Sequence, residues 1–82
     1  MLRAKVVVTL KGGVSDPQGF AVREALASMR YGAVKDVRVG KYFEIALDGV
    51  SREEAKKQLD DMSHKLLSNP VIEDYRFEIE ES

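Results

Sequence analysis

Apolar and polar residues alternate from Ala4 to Leu10, so that Ala4, Val6, Val8 and Leu10 share one face and Lys5, Val7 and Thr9 the other. This period of two, in a run rich in β-branched residues, predicts a central strand. Lys11, Gly12 and Gly13 end it. Asp16-Pro17 then opens a helix, the carboxylate capping and the proline filling a first-turn position where its missing N–H costs nothing. Val22, Ala25, Leu26 and Met29 are the expected buried stripe, and Gly32 stands where a left-handed residue closes a helix.

From Val34 to Leu47 two strand-like segments flank Gly40 and Lys41, which predicts a local hairpin. Val37 and Val39 share a face with Lys35 in the first arm, and Phe43, Ile45 and Leu47 form a cleaner apolar row in the second. Asp36, Arg38, Tyr42 and Glu44 point the other way. Ser51 and Glu54 form a capping box before a second helix, with Val50 and Ala55 placed as a small staple. Ala55, Leu59, Met62 and Leu66 recur at helical spacing, leaving Lys56, Lys57, Asp60 and Asp61 wet. Asn69-Pro70 stops that helix. Val71 to Ile79 alternates again, with Val71, Tyr75, Phe77 and Ile79 opposite Asp74, Arg76 and Glu78, and predicts a last strand.

The order is βαββαβ over one domain, residues 1–82, and the fold class is α+β: a sandwich with an antiparallel-type sheet and two helices on one sheet face. The other sheet face carries Val7, Tyr42 and Ile72 among charges. A chain of 82 residues buries only about 60% of its unfolded surface, so this face or a strand edge is expected to support a homodimer or homotetramer.

Composition narrows the function. Apolar residues make up 44% of the chain, and no apolar run approaches the roughly 20 residues that cross a bilayer. The N-terminus reads as a strand rather than a signal peptide, so a cytoplasmic location and no membrane partner are expected. The chain has no cysteine, which removes disulfides, thiolate catalysis and cysteine-rich zinc sites. A formal charge of −1 offers no field for phosphate backbones, so nucleic acid is not expected as a partner. An RNA-reading sheet around Tyr42 and Phe43 is disfavoured too, because adjacent strand aromatics face opposite ways.

The candidates for chemistry are few. His64 is the only histidine and has no second histidine or cysteine for zinc. Gly12-Gly13 followed by Ser15-Asp16 lies before a helix start, where amides can bind anions, but Asp16 repels phosphate and Pro17 lacks a donor. The paired carboxylates Glu53-Glu54, Asp60-Asp61, Glu73-Asp74 and Glu80-Glu81 read as surface, with no pocket predicted to make them converge. Catalytic, cofactor-binding and metal-ligating residues are therefore expected to be absent. The cluster at the hairpin points to contact with a partner.

Three segments together resemble one family: DPQG at 16–19, DVRVGKYFEI at 36–45 and KLLSNPVIEDYRFEIEE at 65–81. Their order and spacing are similar to those of the PurS family, small subunits of phosphoribosylformylglycinamidine synthase. Gly12-Gly13 and the aromatic Phe43 depart mildly from the family's pattern. The resemblance implies a PurS-like fold, ferredoxin-like in plan, and a role in the fourth step of purine synthesis. In that step formylglycinamide ribonucleotide becomes its amidine, a ligase reaction using ATP and ammonia from glutamine. It further implies that the glutaminase subunit PurQ carries the cysteine nucleophile and that the synthetase subunit PurL uses ATP and magnesium. The small subunit would bridge them without a catalytic residue or cofactor of its own. Arg38, Lys41, Tyr42, Asp74, Tyr75 and Arg76 are the expected partner-contact residues, with arginine and tyrosine the anchors. The alternative is a small-molecule-binding regulatory domain of the same βαββαβ plan.

Overall fold

A computed structural model of the chain describes residues 1–81. The strand β1 spans Leu2–Leu10, the helix α1 Pro17–Ser28, β2 Lys41–Leu47, the helix α2 Arg52–Met62 and β3 Glu73–Glu81; a π-helical turn, Ser63–Leu67, extends α2. The strands form one antiparallel sheet in the order β2-β1-β3. The central place of β1 follows from its composition, since its β-branched residues suit a strand with neighbours on both sides.

Leu2, Ala4, Val6 and Val8 point to one face and are buried there beneath Ala55 and Leu59 of α2. Phe43, Ile45 and Leu47 of β2 and Tyr75, Phe77 and Ile79 of β3 flank this row and are partly buried. Ser51 caps α2 as expected, its Oγ accepting from the Glu54 amide at 3.1 Å. The antiparallel α+β class with two helices holds, and five details of the expected plan change.

The segment 34–39 is not a strand. β2 starts at Lys41 and, among the described residues, pairs with β1 alone, so its outer edge stays open and the first arm of the expected hairpin does not form. The Val39 amide donates instead to the Asp16 carboxylate at 2.9 Å. A second change concerns α1, whose stripe does not cover the sheet: Val22 and Met29 are exposed, as are Phe20 and Tyr31 beside them. Its amino end is held at the end of the sheet, where Gly19 passes so close to the Val37 carbonyl that a Cβ would collide with it.

Third, α1 ends in a Schellman motif with Arg30, not Gly32, in the left-handed conformation at φ 73°. The Tyr31 amide donates to Leu26 and the Arg30 amide to Ala27, both at 3.0 Å. Fourth, Leu66 is 81% exposed and Leu67 packs on the core in its place. The π turn inserts one residue into the helical repeat, which rotates the stripe onward by one position. Fifth, Val71 and Ile72 lie before β3, in a turn closed by bonds from the Ile72 and Glu73 amides to the Asn69 carbonyl at 3.1 and 2.7 Å. Ile72 therefore does not belong to the open sheet face.

The molecule is a slab of 50 × 29 × 14 Å with a radius of gyration of 16.1 Å. A compact domain of this length would have a radius of about 12 Å. The projecting α1 accounts for the difference.

Candidate functional site

The carboxyl end of β1 and the amino ends of β2 and β3 meet along one rim, because Val8 pairs with Lys41 and Leu10 with Glu73. Charged groups of both signs collect there. Arg38 donates to the Leu10 and Lys11 carbonyls at 2.8 and 3.2 Å, and its Nε lies 3.7 Å from the Asp16 carboxylate. Asp16 accepts from the Val39 and Gly19 amides, both at 2.9 Å, and those two bonds, Val39 first, hold its carboxyl below the ordinary aspartate value. Lys41 Nζ is 3.6 Å from Glu73, whose Oε1 also accepts from the Asn69 amide at 2.7 Å. Lys11 Nζ is 3.7 Å from Asp74.

The sheet face turned away from α2 forms a second surface. Tyr42, Val7 and Arg76 stand in one row across all three strands, since Val7 pairs with Tyr42 on one side and with Arg76 on the other. Tyr42 is 57% exposed, and its hydroxyl donates weakly to Glu44 at 3.4 Å. Desolvation first, and Glu44 second, push its phenol up. One row along, Lys5 pairs with Glu80 at 3.0 Å, which raises the lysine. This face offers a flat aromatic and a guanidinium between exposed charges of both signs.

The six residues expected from the sequence thus divide three ways. Arg38, Lys41 and Asp74 lie on the rim, Tyr42 and Arg76 share the open-face row, and Tyr75 sits on the helix-bearing face. There the Tyr75 hydroxyl donates to Asp60 Oδ1 at 2.6 Å, and that bond is the main reason its phenol is raised. Sequence reasoning missed Asp16 as the organiser of the rim. Its capping role was visible, but its second bond spans 23 residues, to Val39. The exposure of Phe20, which packs under the Arg23 guanidinium at 5.3 Å, also left no local signal.

Two open clefts adjoin the rim. One, of about 200 Å3, lies between Phe20, Arg23 and Arg38, and another, of about 300 Å3, between Pro17, Gly40 and Glu73. They sit at or below the lower end of the range for ligand pockets. No cluster of three or more His, Cys, Asp or Glu side chains placed to hold a metal ion occurs among the described residues.

A family model described as PurS, phosphoribosylformylglycinamidine (FGAM) synthase, matches residues 3–81. The chain belongs to the PurS family. A curated relative from Bacillus subtilis, phosphoribosylformylglycinamidine synthase subunit PurS, is 51% identical over 81 residues, covering 99% of this chain and 95% of the relative. A crystal structure of PurS from B. subtilis superimposes with a TM-score of 0.88 over 99% of this chain and 100% of that one, at 51% identity. PurS from Methanocaldococcus jannaschii superimposes with a TM-score of 0.89 at 35% identity, over 100% of this chain and 99% of that one. A chain in the structure of PurLQS from Thermotoga maritima gives 0.85 at 26% identity, over 98% and 99%. PurS is a subunit of FGAM synthase, a ligase complex of purine biosynthesis, and membership in this family does not favour the small-molecule regulatory alternative.

Proposed function

We propose that the chain assembles and couples an FGAM synthase complex in the cytoplasm, joining a glutaminase subunit PurQ to a synthetase subunit PurL. The solved PurLQS structure, one of whose chains this fold matches along nearly its whole length, is the observation that carries this reading. The chemistry requires such a part. Ammonia released from glutamine is mostly protonated near neutral pH and is lost to solvent unless the two active sites are docked and shielded. A preformed sheet supports that docking, because a rigid surface loses little entropy on binding.

In this reading the chain supplies no catalytic residue and binds no cofactor; ATP and magnesium belong to PurL. Tyr42 and Arg76 are the anchors, being the aromatic and guanidinium of one exposed row. Lys41 and Asp74 contribute from the rim, Arg38 holds the segment 36–39 in place, and Tyr75 acts through its tie to α2. The chain also self-associates as a homodimer or homotetramer, a reading supported by its extended shape and exposed apolar helix.

Mixing the purified chain with PurQ and PurL in the presence of ATP, magnesium and glutamine tests the assembly. A single species containing all three chains is expected by size-exclusion chromatography with light scattering, and separate elution would refute the proposal. Tyr42→Ala combined with Arg76→Glu is expected to weaken the complex and slow glutamine-driven turnover while the isolated chain stays folded.

A further inference from the structure

Strand β3 runs for nine residues, about 30 Å, and its register with β1 holds without a bulge from Glu73 to Glu81. Among the described residues it pairs with β1 alone, so its outer edge is open. Two bonds show which of its groups face outward. The Ile79 carbonyl accepts from Arg52 at 2.9 Å, and the Glu73 amide donates to the Asn69 carbonyl at 2.7 Å, neither partner lying in β1. Antiparallel ladders alternate, so Tyr75 and Phe77, at positions of the same parity, also turn their amides and carbonyls away from β1. An edge of this length that contains no proline, lysine or bulge is a template for a further strand.

The side chains of β3 define what that strand carries. The element holds five carboxylates against one guanidinium, Arg76. Lys5, Lys11 and Lys41 approach Glu80, Asp74 and Glu73, whereas Glu78 and Glu81 are exposed and form no ion pair among the described residues. On the helix-bearing face Tyr75, Phe77 and Ile79 are only partly buried, with α2 tied above them by the Tyr75 bond to Asp60. A strand laid beside β3 therefore meets carboxylates on one face and uncovered apolar surface on the other.

A second copy does not suit this edge. Pairing β3 with β3 across a two-fold axis sets one acidic strand against another, and like charges placed opposite each other are destabilising. The open edge of β2 makes no such choice of partner, because that strand is shorter, at seven residues, and its one lysine and one glutamate balance.

We propose that β3 accepts, as a fourth strand, an extended segment of one of the other two subunits in which basic residues alternate with apolar ones. The basic side chains meet Asp74, Glu78 and Glu80, and the apolar ones meet Tyr75, Phe77 and Ile79. Backbone bonds at Tyr75 and Phe77 supply affinity, and the two rows supply register, since a slip of one residue sets apolar groups against carboxylates. Arg52 already occupies the Ile79 carbonyl, so pairing centres on Tyr75 and Phe77. This inference rests on the assembly reading above and states how one of its contacts is made.

Hydrogen exchange at single-residue resolution tests it on the unaltered chain. In the free chain the amides of Tyr75 and Phe77 are expected to exchange fast, and those of Arg76 and Glu78, bonded to β1, slowly. In the complex with PurQ and PurL, formed with ATP, magnesium and glutamine, Tyr75 and Phe77 are expected to slow at least about tenfold. Fast exchange at both amides in a species that light scattering shows to contain all three chains would overturn the added strand and leave the assembly standing. Failure of the three chains to associate would remove both. Slow exchange at both amides in the free chain, deepening with its concentration, would put a second copy on the edge and refute the proposal. Glu78→Lys combined with Glu81→Lys gives a second measurement, since it cancels the acidic excess without touching Tyr75 or Phe77. The isolated variant is expected to melt with the parent, both positions being exposed. Its assembly is expected to weaken about tenfold at low salt, and less in about 1 M salt, where charges are screened beyond about 3 Å. Undiminished assembly at low salt would refute a basic occupant.

Discussion

Two buried serines at the π turn are expected to respond to the same substitution with opposite signs. The side chain of Ser63 is fully buried, and its hydroxyl has no hydrogen-bond partner among the described residues. Leaving such a group unpaired costs about 1–3 kcal/mol, whereas alanine in its place has nothing to satisfy and a higher helix propensity. The vacated oxygen volume gives back a few tenths of a kcal/mol in lost contacts. Ser63→Ala is therefore expected to stabilise the chain by about 1 kcal/mol, which for a domain of this size raises Tm by about 4–8 °C. Ser68 differs because its hydroxyl donates to the Ser63 carbonyl at 2.8 Å. Ser68→Ala deletes that bond without orphaning the carbonyl, which still accepts from the Ser68 amide at 2.9 Å. A loss of about 0.5–1.5 kcal/mol follows. Both variants should be melted by calorimetry at one protein concentration, since association makes Tm concentration-dependent. A Ser63→Ala midpoint at or below that of the parent would refute the reasoning.

Other substitutions probe the core and the pinned rim. Leu59→Ala, at a fully buried position between α2 and β1, is expected to cost about 2–5 kcal/mol in urea unfolding. Bonds from the Val39 and Gly19 amides depress the Asp16 carboxyl below its ordinary 3.8, so their stabilisation is complete above that pH and is lost as pH falls through the depressed value. Urea titrations at pH 6 and pH 3 should show a smaller acid loss for Asp16→Ala than for the parent. The Tyr75 phenol is raised above its ordinary 10.0, first by its bond to Asp60; its contribution is present below pH 10 and is lost as pH rises through the raised value. Tyr75→Phe is expected to flatten the alkaline decline in stability, and an unchanged slope would dissociate that bond from folding.

Local patterns made much of the fold legible. The alternation in β1 marked Ala4, Val6 and Val8 as core, and the side-chain caps at Asp16 and Ser51 announced both helix starts. What escaped depended on partners distant in sequence. Val37 and Val39 have strand propensity, but Asp16 takes the Val39 amide and Gly19 lies against the Val37 carbonyl, so the segment is held at the start of α1 rather than on the open edge of β2. Leu66 carries the spacing of a regular helix, and only the π turn, closed by the Ser68 amide and hydroxyl on Ser63, moves that role to Leu67. Among the contact residues, the exposure of Tyr42 followed from alternation. The inward commitments of Arg38 and Tyr75 arise from elements 27 or 28 and 15 residues away, which no local spacing records.

The double duty of the Asp16 carboxylate also couples a local contact to a distant one. It caps α1 locally through Gly19 and closes a loop across 23 residues through Val39. Helix capping can form within one turn, but closing the loop must wait until the whole of α1 and the residues after it have been gathered in, at an entropic cost that grows with loop length. Pairing of β2 with β1 sets Lys41 opposite Val8, two residues beyond Val39, so formation of the sheet itself brings that amide toward the carboxylate. The projecting helix is in this sense hung from the sheet, its amino end fixed by a carboxylate whose second partner the strand pairing delivers.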